Sequence, residues 1–102
     1  MGMCKGSGGI KRVYDWDSLP EEGQEPNSRM DLFKNGELVE SRCFGPDGRA
    51  IHARDYRDHG NPKRHPEVPH DHRYDWSKKP PRQPWESPDY KNFPPIPNLG
   101  AN

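Results

Sequence analysis

Long apolar runs are missing from this sequence, and so are the residues that would build them. Only 27% of its 102 side chains are hydrophobic, against roughly 45–50% in ordinary globular chains. One small domain with a small core is what that length and composition allow. No stretch approaches the roughly 18 consecutive apolar residues of a membrane-spanning helix, which excludes one. Met1-Gly2-Met3-Cys4-Lys5-Gly6 contains no hydrophobic signal region, so a cytoplasmic chain is expected. Cysteine is nearly absent too. Cys4 and Cys43 are too few for a disulfide framework, and in a cytoplasmic chain both are expected as reduced thiols. Cys4 lies in a Gly/Ser-rich tail, and Cys43 reads as a small core residue. An amphipathic helical period of useful length is also lacking, which excludes an α-helical architecture.

An excess of either charge is lacking overall, with 16 basic and 16 acidic residues, but the distribution is uneven. Residues 1–48 hold 6 basic and 9 acidic side chains, whereas residues 49–82 hold 9 basic and 5 acidic and all five histidines. A net charge of zero therefore hides a cationic centre that could meet a polyanion. Three parts follow: a flexible tail and linker over 1–27, a β-rich domain over 28–76, and a proline-rich extended tail over 77–102. In the first, Gly6-Ser7-Gly8-Gly9 and Glu21-Glu22-Gly23-Gln24-Glu25-Pro26 read as solvated coil around one apolar cluster, Val13-Tyr14-Asp15-Trp16. In the last, Pro80, Pro81, Pro84, Pro88, Pro94, Pro95 and Pro97 favour extended backbone without donors. Trp85, Tyr90, Phe93 and Ile96 could wrap the domain or present a linear ligand.

The middle part is expected as a small, mainly-β unit, a three-stranded antiparallel meander followed by a His/Pro-rich loop segment. Asn35-Gly36 between apolar runs is a strong hairpin signal because both residues accept positive φ. A two-residue turn there pairs Phe33 with Leu38 and Leu32 with Val39. Met30, Leu32, Val39 and Cys43 then share one face, and Arg29, Asp31, Glu40 and Arg42 the other. Gly45-Pro46-Asp47-Gly48 forms a second turn, and a third strand covers Arg49 to Tyr56.

The segment from Asp58 to Trp76 is the chemically informative one, with four histidines in fourteen positions among arginines, aspartates and one lysine. Two imidazoles titrating near neutrality can share acid and base duties. Cleavage of RNA through its own 2′-hydroxyl needs such a pair and a cation for the developing phosphorane charge. His59 with His70 or His72 is the candidate proton-transfer pair, with Arg54, Arg57, Lys63, Arg64 and Arg73 as candidate cations. This reading needs no cofactor. The alternative is a metal site, with zinc as its ion. His70-Asp71-His72 in extended backbone puts both imidazoles on one side, and His59 or His65 supplies a third ligand, with Asp58 as a further carboxylate. A third reading makes these histidines polar loop residues bonded to backbone. His52, within the third strand, reads as structural.

Several strings resemble a known pattern: Pro26 to Gly36, Ser41-Arg42-Cys43-Phe44-Gly45-Pro46-Asp47-Gly48-Arg49-Ala50, Asp55-Tyr56, His59-Gly60, His65-Pro66 and Pro69-His70-Asp71-His72. They are similar to small His-rich domains found in prophages of Gram-positive bacteria and at the C-termini of polymorphic toxins of the MuF and LXG types. The likeness covers about half the chain, roughly residues 26–76. It implies a compact β-rich domain with ribonuclease activity in the toxin context, carried by Asp55, His59, His65, His70 and His72. The implied place is the cytoplasm of a bacterial host cell or a phage particle. The chain carries its own start methionine and no delivery module, so a second expectation stands beside the enzyme. That is a non-enzymatic phage-encoded interaction protein, either a virion component or an inhibitor of a host defence system. The expected partners are thus RNA or a phage or host protein, without a membrane. A homodimer is a further expectation, because so small a core leaves sheet area to cover.

Overall fold

The computed structural model describes residues 4–56 and 69–95. Within them the chain forms six strands: β1 (Ile10–Tyr14), β2 (Arg29–Lys34), β3 (Glu37–Phe44), β4 (Ala50–Asp55), β5 (His70–Tyr74) and β6 (Arg82–Glu86). They make one mixed sheet in the order β1-β2-β3-β4-β5-β6, with β1 parallel to β2 and every other neighbour antiparallel. The expected three-stranded meander is therefore corrected. Its strands are the middle of a six-stranded sheet, and both expected tails contribute a strand. Pro84 argues locally against β6, but a sheet tolerates proline in an end strand, where a missing N–H breaks no ladder.

The turn at Asn35-Gly36 has positive φ at both residues, 53° and 78°, and pairs Phe33 with Leu38 as expected. One residue later the register shifts, so that Leu32 faces Glu40 rather than Val39. Val39 is the extra residue of a bulge, and beyond it every β3 side chain changes face. Cys43 therefore lies opposite Arg29, while Arg42 lies opposite Met30. The expected segregation of apolar and charged residues is corrected in the same way. The second turn closes through Gly48 N–H to the Gly45 carbonyl at 3.0 Å. Gly48 has a φ of 79°, and a Cβ there would stand 2.4 Å from the Gln24 carbonyl oxygen.

Each sheet face is closed by coil. The crossover between β1 and β2 lays Leu19 against Val13, Met30, Leu32, Val39, Phe44 and Ala50, which form the apolar core. Arg42 anchors this crossover through the Leu19 carbonyl at 2.6 Å and the Pro20 carbonyl at 3.1 Å. The opposite face is charged and still buried. Arg29, Asp31, Ser41, His52, Arg54 and Asp71 lie on it, so a chain short of apolar residues fills space with paired ions. Arg54 donates to both carboxylate oxygens of Asp71, at 2.7 and 3.0 Å. His52 Nε2 lies 2.7 Å from the same carboxylate, and the Asp89 amide donates to it at 2.9 Å. Phe93 caps the layer, fully buried, with its ring 4.5 Å from the Arg54 guanidinium and 4.8 Å from that of Arg29.

Cys4 and Cys43 form a disulfide, with Cα atoms 5.1 Å apart, so the expectation of reduced thiols is corrected. The tail's composition describes its local freedom and carries no information about a partner 39 residues away. Cys4, Cys43 and Phe93 pack together with Ile51 against them. Among the described residues no helix is long and apolar enough to cross a membrane.

Two outcomes test this packing. Phe93→Ala should lower urea stability by about 3–5 kcal/mol, whereas Glu25→Ala, at an exposed side chain, should cost under about 1 kcal/mol. Equal effects from the two would contradict the capping role. Burial pushes the Asp71 carboxyl up, but hydrogen bonds from His52, Arg54 and the Asp89 amide outweigh it and hold the pKa below the ordinary 3.8. A carboxylate so depressed stabilises the fold above its unfolded value and loses that contribution as pH falls through its folded value. Asp71→Asn should therefore cost about 3–5 kcal/mol at pH 7 by leaving Arg54 buried without its counter-charge. The gap from wild type should narrow in denaturation curves taken below pH 4, and a pH-independent gap would contradict the assignment.

Candidate functional site

β4 and β5 pair with Arg54 opposite Asp71 and Asp55 opposite His70. Side chains alternate along a strand, so burying Arg54 and Asp71 on one face sends Asp55, His70 and His72 to the other. β6 adds Trp85 opposite His72 and Arg82 opposite Tyr74. The apolar core occupies one end of this face. The other end gathers the carboxylates of Asp55 and Glu40, two imidazoles and the Arg82 guanidinium.

Their polar atoms converge on Asp55 Oδ2. Arg82 Nη2 lies 2.8 Å from it, His70 Nε2 3.2 Å and His72 Nε2 3.5 Å. Access is graded: the side chains of His70 and Asp55 are 0% and 3% exposed, that of His72 11%, and that of Arg82 33%. His70 is wedged edge-on between the His72 ring at 5.1 Å and the Trp85 ring at 6.1 Å. Glu40 pairs with Asp55 across β3 and β4. Burial pushes the Glu40 carboxyl above its ordinary range; Arg42 opposes this, Asp55 adds to it and Arg82 opposes it. Proton-exchanging groups in such surroundings mark functional sites more often than chance.

His72 has a defined orientation. Its Nδ1 lies 2.8 Å from the Gln83 carbonyl oxygen, which only accepts, so Nδ1 carries the proton. In the neutral ring Nε2 then holds a lone pair directed at Asp55. That nitrogen can take a proton or bind a metal ion. Asp55, His70 and His72 can each offer a ligand atom within 4.8 Å of the other two.

Of the residues singled out from the sequence, Asp55, His70 and His72 come together. Arg54 does not join them. It is fully buried on the opposite face and committed to Asp71 and to the Phe93 carbonyl at 2.7 Å. Arg73 also lies on the opposite face, partly exposed, bonded to Glu86 at 2.6 Å and Asp89 at 2.8 Å. Arg57, Asp58, His59, Lys63, Arg64 and His65 lie outside the described residues. His52 is buried and bonded to Asp71, which suits a structural histidine.

Arg82, Glu40, Gln83 and Trp85 were not legible as site residues. Arg82 sits among prolines that read as extended tail, and Glu40 reaches this face only through the bulge at Val39. Comparison with family models, curated proteins and solved structures finds no match for the chain.

The geometry of His72 is directly checkable. Long-range ¹H–¹⁵N NMR at a pH where the ring is neutral should show the Nδ1–H form. An Nε2–H ring would contradict the bond to Gln83.

Proposed function

We propose that this chain is a toxin-like, metal-independent ribonuclease domain of the phage and polymorphic-toxin type. The observation that carries this reading is the convergence of Asp55, His70, His72 and Arg82 on one end of a sheet face. The resemblance of residues 26–76 to His-rich toxin domains supports it, as does the cationic character of residues 49–82. Neutral His72, the more accessible imidazole, accepts the proton of a ribose 2′-hydroxyl at Nε2. The freed 2′-oxygen attacks the adjacent phosphorus, and the 5′-oxygen leaves, giving a 2′,3′-cyclic phosphate. Arg82 turns its guanidinium from Asp55 to the non-bridging oxygens, whose charge grows in the transition state. Asp55 stabilises the His72 imidazolium that forms, and His70 holds Asp55 in place. The other member of the expected proton-transfer pair, His59, lies outside the described residues, and in this reading it protonates the leaving oxygen.

A second reading, the non-enzymatic interaction protein, is favoured by a separate observation. β1 ends the sheet and bears Ile10 at 44% and Tyr14 at 60% exposure, with Trp16 at 41% just beyond it. An end strand with exposed aromatic residues suits β-augmentation by a partner chain.

Single-stranded RNA incubated with the protein in EDTA should be cut to products ending in a 2′,3′-cyclic phosphate, and a 2′-deoxy substrate should resist. His72→Ala should slow cleavage about 10²–10⁴-fold and Arg82→Ala about 10²–10³-fold, with both variants folded by thermal melting. Intact RNA after incubation with wild type, or full activity in His72→Ala, would overturn the ribonuclease reading and leave the interaction reading.

A further inference from the structure

Arg82 forms a close ion pair with Asp55 at 2.8 Å, but the two imidazoles stand off from the same oxygen at the separations of a ligand set. A charge-assisted bond from an imidazolium to a carboxylate closes to about 2.7–2.9 Å. His70 Nε2 and His72 Nε2 stand instead 3.2 and 3.5 Å from Asp55 Oδ2. A tetrahedral ion with bonds of about 2.0–2.1 Å holds neighbouring ligand atoms about 3.3–3.4 Å apart. The two observed separations bracket that length, and all three ligand atoms fall within 4.8 Å of one another.

The orientation of His72 is a second, independent observation. Its Nδ1–H is bound to the Gln83 carbonyl, the outer contact that commonly fixes the tautomer of a metal-binding histidine. In the neutral ring this leaves the Nε2 lone pair facing a carboxylate oxygen. Two acceptors at that distance repel unless a proton or a cation lies between them. The scaffold is rigid: His70 and His72 project from the same side of β5, and Asp55 from the neighbouring strand. Two imidazoles with one carboxylate suit zinc and similar transition ions better than magnesium or calcium, which favour all-oxygen shells.

We propose that Asp55, His70 and His72 form a three-ligand site for a divalent transition-metal ion of the zinc class, with Arg82 as the resident cation that the metal displaces. Arg82 holds Asp55 Oδ2 at 2.8 Å and is one-third exposed. It lies on the last strand of the sheet, so it can turn to solvent without moving the ligands. Occupancy has a consequence that rests on the ribonuclease reading. The metal takes the His72 lone pair that accepts the 2′-hydroxyl proton, so zinc inhibits the reaction.

The test is a titration of the full chain, stripped with EDTA and exchanged, with Co(II) followed by visible absorption and competed with Zn(II). Wild type should bind one ion per chain with a d–d band of low-symmetry coordination. His72→Gln should weaken binding about 100-fold or more, as should Asp55→Asn. Arg82→Gln should tighten it about tenfold, because a competing positive charge has been removed. The Arg82 variant keeps the test sound even where a ligand variant fails to fold. No band in wild type would overturn the site. So would a band unchanged in His72→Gln, which would place the ion on other histidines, or an affinity not raised in Arg82→Gln. Bound zinc should slow RNA cleavage at least about tenfold, in line with loss of a proton acceptor. Cleavage indifferent to bound zinc would overturn the inhibition alone. Absence of cleavage would count against the ribonuclease reading while the cobalt band still decides the site.

Discussion

The ion pair between Arg54 and Asp71 is the constraint on which the rest of this structure depends. Both side chains are fully buried, and two hydrogen bonds join them across β4 and β5. A guanidinium and a carboxylate buried away from water tolerate no slip, because either one left alone is strongly destabilising. The pair therefore pins the register of β4 against β5. With Arg54 and Asp71 on one face, Asp55, His70 and His72 must project from the other. A one-residue shift would exchange the two buried faces of β5 against β4, parting Arg54 from Asp71 and Asp55 from His70.

Holding that pair dry requires a cover, which explains the composition of the C-terminal segment. Arg54 and Arg29 need acceptors, and they find them in the carbonyls of Phe93 at 2.7 Å and Pro94 at 2.6 Å. A proline-rich segment suits this place because it presents carbonyls while bringing few backbone donors that would need partners of their own. Phe93 adds an apolar lid whose ring face meets both guanidinium groups, a geometry that favours cations over aromatic rings. The Cys4–Cys43 disulfide packs beside it, so both ends of the described chain close the same charged layer.

The two faces thus divide the work. One is sealed by the tail and spends its polar groups on each other. The other is apolar at the end covered by Leu19 and polar where β4, β5 and β6 meet. A site at that boundary has properties that acid–base or metal chemistry requires: a rigid backbone, burial of its ligand atoms from water and graded access from buried His70 to partly exposed Arg82.

The sequence by itself determined what depends on neighbouring residues. Asn35-Gly36 and the turn ending at Gly48 are legible because positive φ is a local demand that few residues meet. His70 and His72 share a side because alternation follows from backbone geometry. What only the tertiary structure decided involves partners distant along the chain. The bulge at Val39 moved Cys43 and Glu40 to faces that simple alternation does not give. Arg54 reads as a surface cation until Asp71 and Phe93 enclose it. Arg82 reads as part of an extended tail until β6 pairs with β5. Residue types encode local conformation. Register, burial and ion pairing arise only when segments far apart in the chain compete for the same space.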